Sequence, residues 1–583
     1  MLTAVAKIGS LVQESESIQK SKQGYIFAIV LDESYGLNKE AVQLEQFQSE
    51  KIPRYLYKEG ESKGNNPVPI AQITTPEKTF KKILMWFDKC EKLQDITEEE
   101  RNTIRLIRNS LENNKDLILS EVMEKLSNIP KKDARTTSIF LTVKVNDNKG
   151  IDKYLGDIEL FRKAYISIQK EKIGKFSAES EACCSICGEI KNNITARTFV
   201  YNFDTDDKPG FISGFDKKNF WKNIPVCEEC RELLNKGRKF IDSKLTFKFY
   251  GLKYQLIPYS VLGDDDVIRE ILDVFSDTYK DVLLKNRILK RLTDEEEEIL
   301  ELLAEKEDKI ALNFLFLRSE QSAERILLLI EDVLPSRLRR IFAAKKAIDE
   351  LFGEDFNFGK IRTFFKKSDE QKNVNDLDKY FLEIVNTVFK GRTLDYGFLL
   401  KFFMQNIRTE FSKDGLYTRR AIESLMCVNF FEKLGILNFE EVFMEQGVFE
   451  RIFEKYGKSL NTSAKRGIFL LGALTQMLLN KQYSERGSKP FMKKLKGLKM
   501  DEKDIKSLVP QVINKLEEYG AYDRGKQLIA REASKYLLEA SENWKMSVDE
   551  INYYFVCGMS LADKVEEVVY TSRNYSENNT EQN

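Results

Sequence analysis

Histidine is absent from all 583 residues of the chain. Its absence removes the side chain that enzymes most often use as a general base near neutral pH, and it removes the usual orienting member of a nucleophilic triad. It also removes the common nitrogen ligand of zinc, so a zinc ion in this protein has to be bound by sulfur. The catalytic options of the chain are therefore narrow before any motif is considered.

Net charge and long apolar runs are lacking as well. Lys plus Arg number 93 and Asp plus Glu also number 93, so no overall field attracts nucleic acid, although a local basic groove remains possible. The longest apolar run, Ile468–Leu474, is far too short to span a bilayer, and residues 1–20 carry no secretory pattern. Eight cysteines in so long a chain do not form a disulfide framework, which suits a reducing compartment. We therefore expect a cytoplasmic protein.

The order of strand-like and helix-like segments predicts an α+β protein whose long C-terminal region is all-α. Aromatic and β-branched runs at Tyr25–Leu31, Ser138–Val145 and 246–260 indicate strands. From Asp264 onward the pattern is almost entirely helical, and we expect Pro510 to begin a new helix. A chain of this length exceeds one hydrophobic core. We expect a mixed α/β N-terminal domain (1–175), a zinc-binding lobe with flanking strands (176–262), a helical domain (263–440), a C-terminal helical bundle (441–571) and a disordered tail (572–583).

Two CxxC knuckles are the most specific motif in the chain, Cys184-Ser-Ile-Cys187-Gly and Cys227-Glu-Glu-Cys230. Each CxxC turn places two sulfurs on one side of a tight loop, and four thiolates form the closed tetrahedral set of structural zinc sites. The second knuckle opens directly into a helical pattern, as in a treble-clef site. The segment 188–226 between the knuckles is longer than in a compact zinc ribbon, so it has to form a hairpin or lobe of its own.

The other cysteines are poorer ligand candidates. Cys183 adjoins Cys184 and could compete with it, but the CxxC register favours Cys184. Cys90, Cys427 and Cys557 lie in apolar helical surroundings that are typical of buried small hydrophobic residues. The alternative to a zinc site is chance, or redox chemistry at a single CxxC. We expect a structural Zn²⁺ ion, because no pattern indicates an open fourth position.

Two acidic clusters could in principle bind magnesium. One lies in a turn-rich segment, and the other precedes an apolar-periodic segment, where carboxylates commonly cap a helix and complement its dipole. These clusters are Asp204, Asp206 and Asp207, and Asp264, Asp265 and Asp266. We favour turn and capping roles over metal-dependent catalysis. Walker A, Rossmann and nucleophile-elbow motifs are also absent, so nothing in the sequence requires an enzyme.

Three basic clusters are candidate nucleic-acid contacts. Lysines can bind phosphates while nearby aromatic rings, here Phe215, Phe220 and Trp221, stack on bases or wedge between them. The second cluster follows Pro335 at a spacing expected to line one side of a helix, and the third lies in the C-terminal bundle. The clusters are, in order, Lys217, Lys218, Asn219 and Lys222; Arg337, Arg339, Arg340, Lys345 and Lys346; and Lys493, Lys494, Lys496 and Lys499. The alternative for each is an ordinary solvated loop or helix face.

Three segments of the chain carry a family resemblance. After the first knuckle come TFVYNFDTDDKPGFISGFDKKNFWKNIPVCEEC and the adjoining RELLNKGRKFI, and the C-terminal part contains FLLGALTQMLLNKQYSERGSKPFMKKLKGLKM and EINYYFVCGMSLA. Together with the mixed N-terminal domain and the long helical region, they resemble the large subunit of type I-B CRISPR Cascade complexes. The resemblance covers most of the chain, and it is most specific over Thr198–Gly237 and Phe469–Met500.

The resemblance implies a subunit without catalytic activity. Such a subunit lies near the crRNA 5′ handle beside the backbone and handle-binding subunits. It reads the protospacer-adjacent motif in target double-stranded DNA, supports R-loop formation and recruits a helicase-nuclease. The C-terminal bundle of such proteins resembles the separate small subunit, which some members also make from an internal start codon; Met444 is the position that would serve here. The resemblance assigns no base-reading residue to a position in this chain.

Two other functions remain open from the residues alone. A metal-dependent nuclease or nucleotide cyclase would use the acidic clusters, and a structural zinc protein would need no nucleic-acid partner. Turnover of nucleic acid or ATP with magnesium or manganese would indicate the first. Purification without RNA would favour the second.

Overall fold

The structure, a computed structural model, divides into two compact units. The N-terminal unit comprises Leu2–Phe240 and Ser319–Arg325, and the C-terminal unit comprises Met1, Ile241–Arg318 and Ile326–Asn583. The mixed α/β class and the helical C-terminal region confirm the expected fold class. The structure describes residues 1–12, 24–58, 61, 64–129, 138–147, 151–174, 177–178, 180–196, 200–201, 209–276, 308–320, 323–369, 372–440, 447–540 and 543–577.

A mixed sheet lies at the centre of the N-terminal unit. Its order is β2-β1-β4-β3, with β5 paired to β4, and β1 and β4 are parallel, with Phe27 opposite Leu141. Helices cover it, and a small hairpin of β6 and β7 follows. The strands are β1 (Gly24–Leu31), β2 (Leu37–Gln46), β3 (Ala71–Gln72), β4 (Ser138–Asn146), β5 (Asp152–Tyr154), β6 (Ala182–Cys183) and β7 (Ile190–Lys191). The helices are α1 (Leu2–Leu11), α2 (Ile52–Tyr55), α3 (Pro76–Glu91), α4 (Glu98–Asn113), α5 (Lys115–Ser127), α6 (Glu159–Gly174) and α7 (Glu228–Lys244).

The central strand β1 is apolar on both faces because both faces of the sheet are covered. Phe27 and Ile29 belong to a large core with Trp86 and Phe161, whereas Ile26 on the opposite face belongs to a second, smaller core. A strand buried on both sides has a continuous apolar run rather than alternation. The predicted strands at Tyr25–Leu31 and Ser138–Val145 are therefore confirmed.

A second sheet, of order β11-β10-β9-β8, belongs mainly to the C-terminal unit. The strands are β8 (Thr246–Phe249), β9 (Leu252–Ser260), β10 (Ile310–Glu320) and β11 (Ala323–Val333). The first two confirm the strands expected at 246–260. The last two show that the helical expectation for residues 310–333 is wrong. The first eight residues of β10 are all buried, and a short run buried on both faces has no period that distinguishes it from a buried helix.

Beyond Val333, the regular elements in the described part of the chain are helices. They are preceded by α8 (Asp265–Ser276) and comprise α9 (Pro335–Phe352), α10 (Phe358–Phe364), α11 (Asp378–Lys390), α12 (Tyr396–Ser412), α13 (Tyr417–Lys433), α14 (Glu450–Lys455), α15 (Ser463–Arg486), α16 (Glu502–Glu518), α17 (Arg524–Glu539), α18 (Val548–Ser560) and α19 (Ala562–Glu577). Pro510 lies inside α16, so the expected helix start there is wrong. Helix α19 extends into the segment expected to be a disordered tail, and residues 578–583 lie outside the described part.

Helices α15 and α18 approach each other very closely at a reciprocal pair of glycines. A Cβ at Gly472 of α15 would lie 2.0 Å from the Phe555 carbonyl oxygen of α18, and a Cβ at Gly558 would lie 1.8 Å from that of Phe469. Only glycine permits this approach, because any side chain would overlap the facing backbone. Helix α15 is buried along most of its length and forms the axis of this bundle.

None of the helices in the described part of the chain combines the length and the apolar character that crossing a bilayer requires.

Candidate metal centre and candidate nucleic-acid surfaces

The first knuckle is a tight turn between β6 and β7. The Gly188 N–H donates to the Cys184 carbonyl at 2.9 Å, and the Cys184 N–H donates to the Glu189 carbonyl at 2.9 Å. The N–H and the hydroxyl of Ser185 both donate to the Pro225 carbonyl, at 2.8 and 2.9 Å. The first knuckle is therefore attached directly to the residues that precede the second one.

The second knuckle leads into α7, as the sequence indicated. Cys227 precedes the helix and Cys230 lies in its first turn. Val226 and Thr195 exchange two backbone hydrogen bonds of 3.0 Å, which connect this knuckle to the segment that follows the first. Helix α1 packs closely on α7 at a second reciprocal glycine pair, since a Cβ at Gly9 or at Gly237 would lie 1.9 Å from a backbone oxygen of the other helix.

The four predicted ligands come together. The Sγ atoms of Cys184, Cys187, Cys227 and Cys230 all lie within 4.8 Å of one another, and those of Cys187 and Cys227 are 4.0 Å apart. Sulfurs bound to one tetrahedral zinc ion at about 2.3 Å are separated by about 3.8 Å, so this spacing is compatible with zinc. The group could hold a metal ion with no further ligand. The Sγ of Cys183 instead donates to the Gly188 carbonyl at 3.4 Å, which agrees with the register chosen from the sequence.

Backbone N–H groups stabilise the negatively charged thiolate form of Cys184. The N–H groups of Ile186 and Cys227 donate to it at 3.5 and 3.4 Å. Burial opposes ionisation of this thiol, but the backbone donors outweigh burial and lower its pKa to about 7. Burial raises the pKa of Cys227 to about 11, and it also raises the pKa of Cys230. A bound cation would stabilise the thiolates of Cys227 and Cys230, which burial alone disfavours.

An ion-pair bridge reinforces the connection between the knuckles. Lys191 of β7 lies 3.0 Å from Glu189 and 3.3 Å from Glu229 in the first turn of α7. Hydrogen bonds to these two carboxylates raise the pKa of Lys191. The pairs are exposed, so they orient the two elements more than they stabilise the fold.

The other cysteines have the predicted environment. Cys90, Cys427 and Cys557 are buried, and burial raises the pKa of each thiol. They are inert packing residues rather than metal ligands.

The first basic cluster lies on a chain of short 3₁₀ turns before the second knuckle. Phe220 is buried against Ala196 and Ile212, whereas Lys217, Lys218 and Lys222 are exposed. The Asn219 amide donates to the Ser213 carbonyl at 3.1 Å, so this predicted contact residue also supports the loop. Two phenylalanines project from the same loop, Phe211 with 67% of its surface exposed and Phe215 with 76%. Phe215 is one of the rings expected from the sequence to stack on bases, whereas Phe211 was not foreseen.

The second basic cluster does not line one side of its helix, so that expectation is wrong. Arg337 lies on the inner face of α9 and donates from Nε and Nη2 to the Val388 carbonyl at 2.9 and 2.6 Å. Burial, followed by the nearby Arg340, lowers its pKa. Lys345 pairs with Asp349 and Asp355 at 3.0 and 2.8 Å. Only Arg339, Arg340 and Lys346 are exposed, and Arg339 lies 3.6 Å from Asp308.

The third basic cluster divides between two surfaces. Lys493 and Lys494 are exposed on the 3₁₀ turn Pro490–Leu495, whereas Lys496 and Lys499 line a cleft of about 490 Å³. The other residues of this cleft are Lys401, Gln405, Arg408, Thr409, Ser412, Gly497 and Asp549. The sequence reasoning missed Lys401 and Arg408. Their seven-residue spacing on one face of α12 was a visible signal, but nothing local to α12 linked them to the distant lysines.

One of the two acidic clusters lies in the described part of the chain, whereas the other and the candidate internal start do not. Asp264 accepts from the Asp266 N–H at 3.1 Å at the beginning of α8, which is the capping role expected for that cluster. Asp204, Asp206 and Asp207 lie outside the described residues, and so does Met444.

Comparison with known families covers almost the whole chain. The three domain models of CRISPR-associated protein TM1802 match it in order, with the N-terminal domain at residues 1–166, the central domain at 181–333 and the C-terminal domain at 356–573. The chain belongs to this CRISPR-associated family. The central match contains both CxxC knuckles. No curated protein matches the chain.

Proposed function

We propose that this protein is the non-catalytic large subunit of an RNA-guided CRISPR surveillance complex of the type I-B Cascade class. In this role it binds crRNA and target double-stranded DNA, reads the protospacer-adjacent motif, supports R-loop formation and recruits a helicase-nuclease. Its other partners are the backbone, handle-binding and small subunits. The order of the three family domains along one chain is the observation that carries the proposal.

The four-thiol group holds a structural zinc ion in this proposal. Four sulfurs within 4.8 Å of one another leave no position for a substrate, and no histidine exists to supply a different ligand. The ion connects the first knuckle to α7. It therefore braces the exposed aromatic and basic loop that lies between the knuckles, where Lys217, Lys218 and Lys222 are available to phosphates.

The test is target binding by the complex reconstituted from this chain, the other subunits and crRNA. Two duplexes carry the same target sequence and differ only in the flanking motif. We expect the complex to bind one of them more tightly and to lose this discrimination when the chain is omitted. Equal affinity for every flanking sequence in a complete randomised set would contradict motif reading by this subunit.

The absence of catalysis is tested separately on the isolated chain. Incubation with Mg²⁺ or Mn²⁺ and labelled DNA, RNA or ATP should give no turnover. Turnover that disappears in Asp265→Ala would overturn the non-catalytic assignment. Asp273→Ala, which removes an exposed carboxylate from the same helix α8, is the matched control.

A further inference from the structure

The cleft beside α12 brings together cations from two distant parts of the C-terminal unit. One wall is an exposed face of α12 with Lys401 and Arg408, and the other is the segment Lys496–Lys499. Asp549 is the single carboxylate among its lining residues, and it pairs with Arg408 at 2.6 Å. The lining therefore carries four cationic side chains against one anionic side chain. A concave surface of one sign concentrates its field in the cleft.

The second wall has an unusual backbone. Lys496, Gly497 and Leu498 have φ angles of +47°, +62° and +59°, which makes three consecutive residues left-handed. Residues other than glycine adopt this conformation at a cost of roughly 1–2 kcal/mol each, and almost always singly. Such strain persists only where the surroundings hold it in place, and it is concentrated at functional sites.

Several contacts hold this turn. Leu498 is fully buried, and its carbonyl accepts from the Arg408 Nε at 2.9 Å. The next anchor is Met500, whose N–H and carbonyl bond to the buried side chain of Asn552 at 3.1 and 2.8 Å. Arg408 is thus committed to positioning the two walls. The turn is preorganised, and Lys496 and Lys499 emerge from it onto the cleft.

Free hydrogen-bond donors in the cleft come mainly from two lysines. Thr409 and Ser412 donate their hydroxyls to carbonyls of α12, and Gln405 donates its amide to Ser368. Lys496 pairs with Asp504 at 2.5 Å. Lys401 and Lys499 are exposed, and neither has a carboxylate partner within the part of the chain that the structure describes. Two unpaired ammonium groups facing one concave surface match a phosphate group.

We propose that this cleft is a phosphate-binding site that holds a phosphodiester of a nucleic-acid strand through Lys401 and Lys499, with Arg408 as a positioning residue. The proposal rests on the proposed function, because it supplies one of the nucleic-acid contacts that a Cascade large subunit needs. A free nucleotide offers the same phosphate chemistry, so the experiment has to separate the two sources.

The experiment compares two double variants of the full-length chain with the wild type. Lys401→Ala/Lys499→Ala removes both free ammonium groups from the cleft. Lys433→Ala/Lys503→Ala removes the same charge from exposed positions of α13 and α16, outside the cleft lining and outside the three basic clusters. Affinity for a fluorescent oligo-dT strand and for a duplex of equal length is measured over a range of salt concentrations, and melting temperatures establish that each variant folds.

We expect the cleft variant to bind a strand about tenfold more weakly, with a salt slope smaller by about 0.7, the value for one single-strand phosphate contact. The control should retain most of the affinity, and Lys401→Arg/Lys499→Arg should restore the wild-type slope. Equal losses of affinity in the cleft variant and the control would overturn the cleft as the phosphate-binding site, while leaving the proposed function intact. A wild-type chain and a reconstituted complex that both bind no nucleic acid would overturn both.

The source of the phosphate is decided by competition. If a phosphodiester is the ligand, millimolar ATP or inorganic phosphate should displace little oligonucleotide, and radiolabelled ATP should not be retained in equilibrium dialysis. Retention of ATP that Lys401→Ala/Lys499→Ala abolishes, with oligonucleotide affinity unchanged, would assign the cleft to a free nucleotide and overturn the proposal.

Discussion

The four-thiol site and the C-terminal bundle keep their backbones in place by different physical means. Around the knuckles the structure consists of short strands, turns and 3₁₀ segments, and a small apolar cluster beside them comprises Ala196, Ile212 and Phe220. In the bundle, α15 is buried along most of its length and touches α18 at glycine positions. The first region buries its apolar residues in small groups, whereas the second buries long stretches of its helices.

This difference shows where each region obtains its stability. A small lobe with few apolar residues needs a metal ion or disulfides, because burial alone does not balance its conformational entropy. A bundle of long amphipathic helices needs close packing and no cofactor. Metal removal should therefore affect the knuckles, and changes of side-chain volume should affect the bundle.

Loss of one of the four thiols should have the largest effect, on both zinc content and folding yield. Cys227→Ser removes a ligand from a closed four-sulfur set, so we expect the purified chain to lose its approximately one equivalent of zinc and to fold in lower yield. Metal analysis and limited proteolysis between the knuckles measure these effects. Cys183→Ser is the matched control, since that neighbouring thiol is outside the group, and it should retain zinc. Equal zinc content in both variants would show that the group is not the site.

Lowering the pH should have the second-largest effect, because it weakens metal binding. Because burial raises the pKa of Cys227 to about 11, this group carries a proton at neutral pH and releases it on binding zinc. Protons therefore compete with the metal, and affinity should fall as pH falls, by about tenfold per pH unit for each proton released. Competition with a chelator at buffered free zinc from pH 6 to 8 measures the slope. A pH-independent affinity would exclude binding to protonated thiols.

Adding one methyl group to the bundle should have a large effect without any involvement of metal. Gly558→Ala places a Cβ where the Phe469 carbonyl oxygen lies 1.8 Å away, so α15 and α18 have to separate. We expect the free energy of unfolding to fall by about 3 kcal/mol.

Gly397→Ala is the control for that change, because its new Cβ would meet the nearest atom at an ordinary 3.4 Å in the first turn of α12. It should be neutral or slightly stabilising. Denaturant unfolding monitored by circular dichroism compares the two variants, and zinc content should be unchanged in both. Equal stability would mean that α15 and α18 do not pack as closely as the structure indicates.

The smallest effect concerns a helix cap in the bundle. The Ser547 hydroxyl accepts from the Glu550 N–H at 3.1 Å at the start of α18. Ser547→Ala leaves this N–H without its partner and should cost about 1 kcal/mol, whereas Ser547→Asp should keep the cap. Thermal unfolding of the wild type and the two variants tests this order of stability. An alanine variant as stable as the wild type would show that the cap contributes nothing measurable.

The sequence predicted most elements whose residues interact with near neighbours along the chain. The CxxC register, the strand at Tyr25–Leu31 and the helix cap at Asp264 depend on short spacings, and all three agree with the structure. Pro510 was misjudged because the rest of α16 is helical on both sides, and an exposed proline at that point does not interrupt it.

The expectations that proved wrong concern residues whose interaction partners lie far away in the sequence. Strand β10 pairs inside a sheet and is buried on both faces, and its own residues reveal neither fact. Arg337 was expected on the surface, although its spacing from Ile341, Ala344 and Ile348 places it on the buried face of α9.

The sequence by itself determined which four sulfurs could hold a metal ion, because the two CxxC turns are the most specific ligand pattern in a chain without histidine. Only the tertiary structure decided which cations are free to meet a ligand. Lys401 and Lys499 lie almost a hundred positions apart and share one cleft, while Arg337 and Lys345 are occupied by internal partners. Ligand geometry within a knuckle is local, whereas the availability of a charge depends on what the whole fold places beside it.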